Sequence, residues 1–158
     1  MTQGKPVRQS QVITTQLVLP NDTNQLGNLL GGTLMHWLDI TAAICAKRHA
    51  GRVCVTASVD ELNFHHPIKL GEIVTLQASL NRAFRTSMEV GVLVTAQGKE
   101  ELPEKRANNA YLTFVAIDDA GTPVAVPPVI PETVEERRRY EEALARRQLR
   151  LTHRRGHE

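Results

Sequence analysis

Asp39 is the one formally charged side chain in residues 34–46, where Leu, Met, Trp, Ile and Ala otherwise dominate at helical spacing. A carboxylate so placed can take a proton from water as a general base, or attack an electrophilic carbon itself. Immediately before this run stand Gly27-Asn28 and Gly31-Gly32. Glycines at a helix start permit close approach of another group, and the first N–H groups of the helix, at the positive end of its dipole, favour an oxyanion. The Asn28 amide can donate and accept hydrogen bonds. An acid, an amide and oxyanion donors are the parts that activate attack on a carbonyl group. Residue type alone also allows plainer roles. Asp39 reads equally as a helix acid in a hydrogen-bonding network, Asn28 as a turn residue, and the glycines as points of tight helix–sheet packing.

These groups need elements to hold them. Residues 12–19 read as a strand ended by Pro20 and the turn-rich Asn21-Asp22-Thr23-Asn24. The helix should run from the glycine pair to about His49, with Gly51 as its stop, and apolar residues around nearly its whole circumference predict burial on all sides. The period then changes to two: Val53, Val55, Ala57 and Val59 share one face, Cys54, Thr56, Ser58 and Asp60 the other. Further strands are expected over 73–81, with Val74, Leu76, Ala78 and Leu80 inward, over 87–97, with Met88, Val90, Val92 and Val94 inward, and over 107–117. One helix followed by a meander of one-sided strands predicts an α+β fold in which an antiparallel sheet wraps the helix. Pro123, Pro127, Pro128 and Pro131 mark a linker, and Thr133 with Glu136 is a capping box opening a last helix, acidic first and arginine-rich later.

The 158 residues and 41% hydrophobic content suit one domain over 12–126, an N-terminal extension over 1–11, and a linker with a charged helix over 127–158. Cys45 and Cys54 have no partners at metal-ligand spacing, so neither a zinc site nor a disulfide framework is expected, and a reducing compartment fits. A polar start and the lack of a long apolar run read as a cytoplasmic protein with no signal peptide or membrane span. A net charge of +2 argues against specific nucleic-acid binding by the whole chain, although arginines crowd residues 137–155.

With these residues placed, the chain resembles the hotdog-fold acyl-CoA thioesterases, in the acyl-CoA hydrolase branch that includes the bacterial YciA-type enzymes and the brain cytosolic acyl-CoA hydrolase. The resemblance covers residues 12–126. It rests on Leu19-Pro20-Asn21-Asp22-Thr23-Asn24, Gly27-Asn28 before Gly31-Gly32, the Asp39 helix, and Val55-Thr56 through Asp60, Phe64, Pro67 and Gly71-Glu72. It implies hydrolysis of acyl-CoA to free CoA and a carboxylic acid with no metal and no other cofactor, CoA being part of the substrate. It also implies a homodimer with one continuous sheet, a trimer of dimers beyond it, and an active site at the dimer interface where Asn28 and Asp39 come from different subunits. Asp39 would be base or nucleophile, Asn28 its partner, and the Gly31-Gly32 helix start the oxyanion site.

The acyl chain needs an apolar slot, for which Trp37, Leu38, Phe64 and Ile40 are candidates beside their plainer reading as core, and the CoA phosphates need cations. Arg82, Arg85, Thr86 and Ser87, in the turn between two strands, match the position of the family's CoA-contacting segment. His36, three residues before Asp39, reads as pocket lining or interface, and His65-His66 as surface histidines that point to opposite sides. The C-terminal arginines read as a solvated face paired with Glu135, Glu136, Glu141 and Glu142, or as a completion of the nucleotide site. Two other classes remain open: a non-catalytic acyl-CoA-binding regulator, and a 3-hydroxyacyl thioester dehydratase or hydratase using His36 with Asp39.

Overall fold

A computed structural model describes residues 3–60, 62, 66–98 and 105–156 of the chain. In order they form β1 (Lys5–Pro6), β2 (Val12–Leu17), α1 (Gly31–Ala50), β3 (Cys54–Val59), β4 (Ile73–Ala83), β5 (Ser87–Gln97), β6 (Lys105–Ala116), β7 (Val129–Ile130) and α2 (Val134–Arg155). Five strands make one antiparallel sheet in the order β2-β4-β5-β6-β3, so β2 and β3 are its edges. The period-two residues expected to point inward on β4 and β5 are all buried, against α1. This is the hotdog arrangement, a sheet around a central helix, with α2 added outside.

Helix α1 differs from its expectation. Its buried residues, Leu34, Leu38, Thr41, Ala42, Cys45, Ala46 and His49, form a single stripe facing the sheet. The opposite face leaves Ile40 46% and Ile44 37% exposed, so the apolar circumference is only half used within one protomer. The far end of the helix is pinned. Gly51 takes the left-handed conformation (φ 71°) that ends it, Lys5 Nζ donates to the His49 carbonyl at 2.9 Å, and His49 Nε2 lies 2.7 Å from the Pro127 carbonyl.

The strands are less regular than their alternation suggests. A bulge between Thr56 and Ser58 breaks the two-face pattern of β3, and another between Leu80 and Arg82 breaks that of β4. At the second bulge Asn81 is drawn over β5 so closely that a Cβ on Gly91 would stand 2.7 Å from its Nδ2, which is why glycine occupies that strand position. Sequence reading missed the parallel pairing of β1 with β7, which buries Val7 and Val129 and ties both flanking segments to the domain.

Helix α2 begins at the predicted capping box, with Thr133 and Glu136 bonded reciprocally. Arg138 pairs with Glu135 and Glu142 on its exposed face, as the sequence suggests. Arg146 and Arg150 instead turn to the sheet, where Glu89 is fully buried. Arg146 grips it bidentately (Nη2 to Oε1 2.7 Å, Nε to Oε2 3.1 Å), Asn81 donates to it at 3.0 Å, and Arg150 bridges it to Asp60.

Arg146→Ala would leave the buried Glu89 carboxylate with only Asn81 and the longer Arg150 contact, and is expected to lower the unfolding free energy by about 2–3 kcal/mol. Arg138→Ala should leave the unfolding midpoint where it was. Urea unfolding at one protomer concentration checks both. Burial holds the His49 pKa below its ordinary value of 6.5. Its neutral form is therefore the one the fold keeps, and stability contributed by His49 is present above pH 6.5 and is lost as the pH falls below it. His49→Gln should flatten that acid-side slope in unfolding curves taken between about pH 5 and about pH 7.5.

Candidate active site

Asp39 is half-buried, two residues beyond Trp37 on α1, and faces β3 across the concave side of the sheet. There Thr56 Oγ1 donates to Asp39 Oδ1 at 2.6 Å. A short hydrogen bond of this kind fixes the carboxylate rotamer. Asp39 Oδ2 has no partner among the described residues, so one oxygen is held and the other is available to a water or an electrophile. Thr56 was missed as a site residue in the sequence. The signal was a hydroxyl on the helix-facing side of an alternating strand, one residue before the bulge.

The second group of residues lies at the start of α1. Leu30, at the N-cap, offers no side-chain acceptor, so the N–H groups of Gly31, Gly32 and Thr33 are open for a ligand. A Cβ on Gly32 would meet nothing within 4 Å, so this glycine does not serve tight helix–sheet packing. The loop before it is closed by Gly27 at φ 75° and by the Asn24 side chain, whose Oδ1 accepts from the backbones of Leu26 (2.9 Å) and Asn28 (3.1 Å). Asn28, Gly31, Leu34, His66 and Pro67 line a cavity of about 270 Å³ at this helix end. A larger cavity of about 720 Å³, polar and running between the sheet and α2, is lined by Glu135, Arg138, Arg139 and Glu142 and touches none of the predicted catalytic, acyl-slot or turn residues.

The two groups are not one site within a protomer. Eight residues separate Gly31 from Asp39 on α1, roughly 12 Å along the axis at 1.5 Å per residue. Donors at the helix start cannot reach an oxygen whose carbon is being attacked at the Asp39 carboxylate of the same chain. The edge that carries Thr56 is open: no strand pairs with the outer side of β3 among the described residues, and Val53 and Val55 are 58% and 44% exposed there.

Other predicted residues fall as follows. Leu38 is fully buried in the core between α1 and the sheet, and lines neither cavity. Trp37 is half-buried against the same core. Phe64 and His65 lie outside the described residues. His36 is exposed and makes no bond to Asp39. Arg82, Arg85, Thr86 and Ser87 occupy the β4–β5 turn, where Arg85 is exposed and the other three half-buried.

Residues 26–102 match the model of the thioesterase superfamily. Mouse acyl-coenzyme A thioesterase 11 is 41% identical over 97% of this chain, which spans about a quarter (26%) of the mouse protein. The uncharacterized acyl-CoA thioester hydrolase YkhA of Bacillus subtilis is 42% identical over 82% of this chain and 75% of its own length. Acyl-CoA hydrolase from Staphylococcus aureus, solved with butyryl coenzyme A, coenzyme A and coenzyme A disulfide, superposes with a TM-score of 0.89 at 40% identity, covering 95% of this chain and 92% of that one. An apo-hexameric acyl-CoA thioesterase gives 0.91 at 40% identity, covering 96% and 97%. Mutant chains of the S. aureus hydrolase, with alanine replacing one aspartate, one asparagine or one threonine, are similar as well.

The open space at Gly32 yields a prediction of its own. Gly32→Ala is expected to leave the unfolding free energy unchanged or raise it by up to about 1 kcal/mol, because it stiffens the unfolded chain and meets no steric conflict. Thermal and urea unfolding would measure it.

Proposed function

Because the chain belongs to the thioesterase superfamily, we propose that it hydrolyses acyl-CoA thioesters to free CoA and a carboxylic acid. The observation that carries this reading is the Thr56–Asp39 bond at the open β3 edge. Asp39 Oδ2 takes the proton of a water that adds to the thioester carbon. The oxygen that becomes negative is received by N–H groups at the start of α1, and the C–S bond then breaks to give the thiolate of CoA, which is protonated as it leaves.

The aspartate, asparagine and threonine altered in the S. aureus chains stand at the same mutual intervals as Asp39, Asn24 and Thr56 here. We therefore assign the amide partner of Asp39 to Asn24 and give Asn28 a place in the lining of the adjoining cavity. The Asn24 Oδ1 is engaged by its own turn, which leaves Nδ2 as a donor toward the thioester oxygen or the attacking water.

The 12 Å between helix start and acid supports a site shared by two protomers, Asp39 and Thr56 from one, Asn24 and the Gly31-Gly32 start from the other. Pairing of β3 edges would make one continuous sheet and cover Val53, Val55 and the outer face of α1. The hexameric neighbour supports a trimer of such dimers. Among the described residues no helix is long and apolar enough to cross a membrane, and the likeness to cytosolic acyl coenzyme A thioester hydrolases supports work on CoA esters in the cytoplasm.

Release of CoA thiol from short, medium and long acyl-CoAs tests the proposal. Asp39→Asn should lower kcat by about 10²–10⁴ with the assembly intact. Gly32→Ala, which keeps the N–H but adds a methyl where the substrate approaches the helix start, should lower kcat/KM despite its stable fold. Asn24→Ala should cost more than Asn28→Ala, and the reverse order would return Asn28 to the catalytic role. Wild-type turnover that survives Asp39→Asn would overturn the mechanism.

A further inference from the structure

The cavity between the sheet and α2, on the side away from Asp39, has a volume of about 720 Å³, within the range of small-molecule sites. Two side chains on its wall are buried polar groups with unused hydrogen-bonding capacity. Thr95 is 8% exposed and its Oγ1 has no partner among the described residues, and Asn81, 3% exposed, has none for its Oδ1. Leaving such groups unpaired is costly. Chemistry fixes which way the Asn81 amide points. Glu89, gripped by Arg146, can only accept, so Nδ2 turns to it at 3.0 Å and the amide oxygen is left over. Gly91, beside it on β5, has no side chain to cover that oxygen: a Cβ there would stand 3.2 Å from it.

The rest of the wall says what could satisfy these atoms. Neutral amides and hydroxyls surround them: Gln11, whose Nε2 donates to Ser79 Oγ at 3.2 Å, with Gln77 and Asn109. The charges contributed by α2 cancel. Arg138 meets Glu135 and Glu142, and Arg139 meets Glu135, so an anionic ligand would have to displace carboxylates already in place. Tyr111 is the one aromatic on the wall among the described residues, and Arg146 already stacks on its ring at 3.8 Å, which leaves a planar base no pair of faces to enter between. A molecule with several hydroxyls meets every demand. Each hydroxyl can donate to Asn81 Oδ1 or Thr95 Oγ1 while accepting from a glutamine or asparagine amide.

We propose that this cavity is a binding site for a neutral polyol of monosaccharide to disaccharide size, separate from the hydrolytic site. The bound molecule touches the outer face of β4, β5 and β6 together with the first half of α2. It therefore holds the helix to the sheet, and its binding raises the temperature at which the domain unfolds.

The test uses glucose, myo-inositol and trehalose, by calorimetry and thermal unfolding on the intact assembly, at millimolar concentrations where the general osmolyte effect is small. At least one of them should saturate one site per protomer with a Kd below about 1 mM and raise the midpoint in step. Thr95→Val keeps the shape of the side chain and removes only Oγ1. It should hold or raise the midpoint of the free protein, weaken the polyol by about tenfold or more, and leave thiol release from acyl-CoA as in the wild type. Asn109→Ala, at an exposed position, should weaken the polyol with the fold untouched. Glucose 6-phosphate should bind no more tightly than glucose. Absence of saturable binding by all three polyols, or wild-type affinity in both variants, would overturn the site. Preference for the phosphate ester would overturn its neutral character. Dissociation of the assembly by Asn109→Arg would assign the cavity to a second copy of the chain and overturn the polyol.

Discussion

The apolar stripe of α1 must find a concave surface, and the curved sheet supplies it. Leu34, Leu38, Ala42, Cys45 and Ala46 lie in that hollow. Seating them sets the rotation of the helix, and rotation decides which side of it carries Asp39. With the stripe fixed inward, the carboxylate is turned toward β3 and meets Thr56, and the start of the helix opens at the other end of the groove. Chemistry in this fold is therefore a by-product of packing. The small residues Ala42, Cys45 and Ala46 let the helix lie close enough for a 2.6 Å bond between a strand hydroxyl and a helix carboxylate.

How much of this could be read from the residues depends on the range of the forces involved. The strands over 73–97 are stated outright by their alternation, because facing a core on one side is a local property of each strand. The capping box at Thr133 is local too, and it is found where expected. Asp39 stood out because a charge in an apolar run is conspicuous at any range. By contrast, the exposed outer face of α1 was hidden by composition. Ile40 and Ile44 read as core, and only a partner surface gives them another use.

Bulges were the other blind spot. Nothing in Val55-Thr56-Ala57-Ser58 announces that the parity of the strand changes, yet Thr56 has its place at the acid next to that irregularity. The same holds at Asn81, where a bulge turns Arg82 from the helix side to the α2 side. The arginines of α2 were read as a solvated face because charge patterning along a helix concerns neighbours three or four residues apart. Glu89, 57 residues away, lies beyond any such rule. Asn24, proposed above as the amide partner of Asp39, does not stand out for a different reason: Gly27-Asn28 looks like the specialised pair, and a turn-forming asparagine looks ordinary.

That 57-residue separation has a meaning during synthesis. A ribosome delivers β5 well before it delivers the helix that neutralises it. Until Arg146 emerges, the nascent sheet carries the Glu89 side chain unpartnered by α2 on its outer face, and a polar group in that position holds water and discourages another unfinished chain from stacking on it. When α2 arrives, the group that kept the surface wet becomes the anchor that closes it. One side chain thus protects the incomplete protein and fastens the complete one, at two moments of its life.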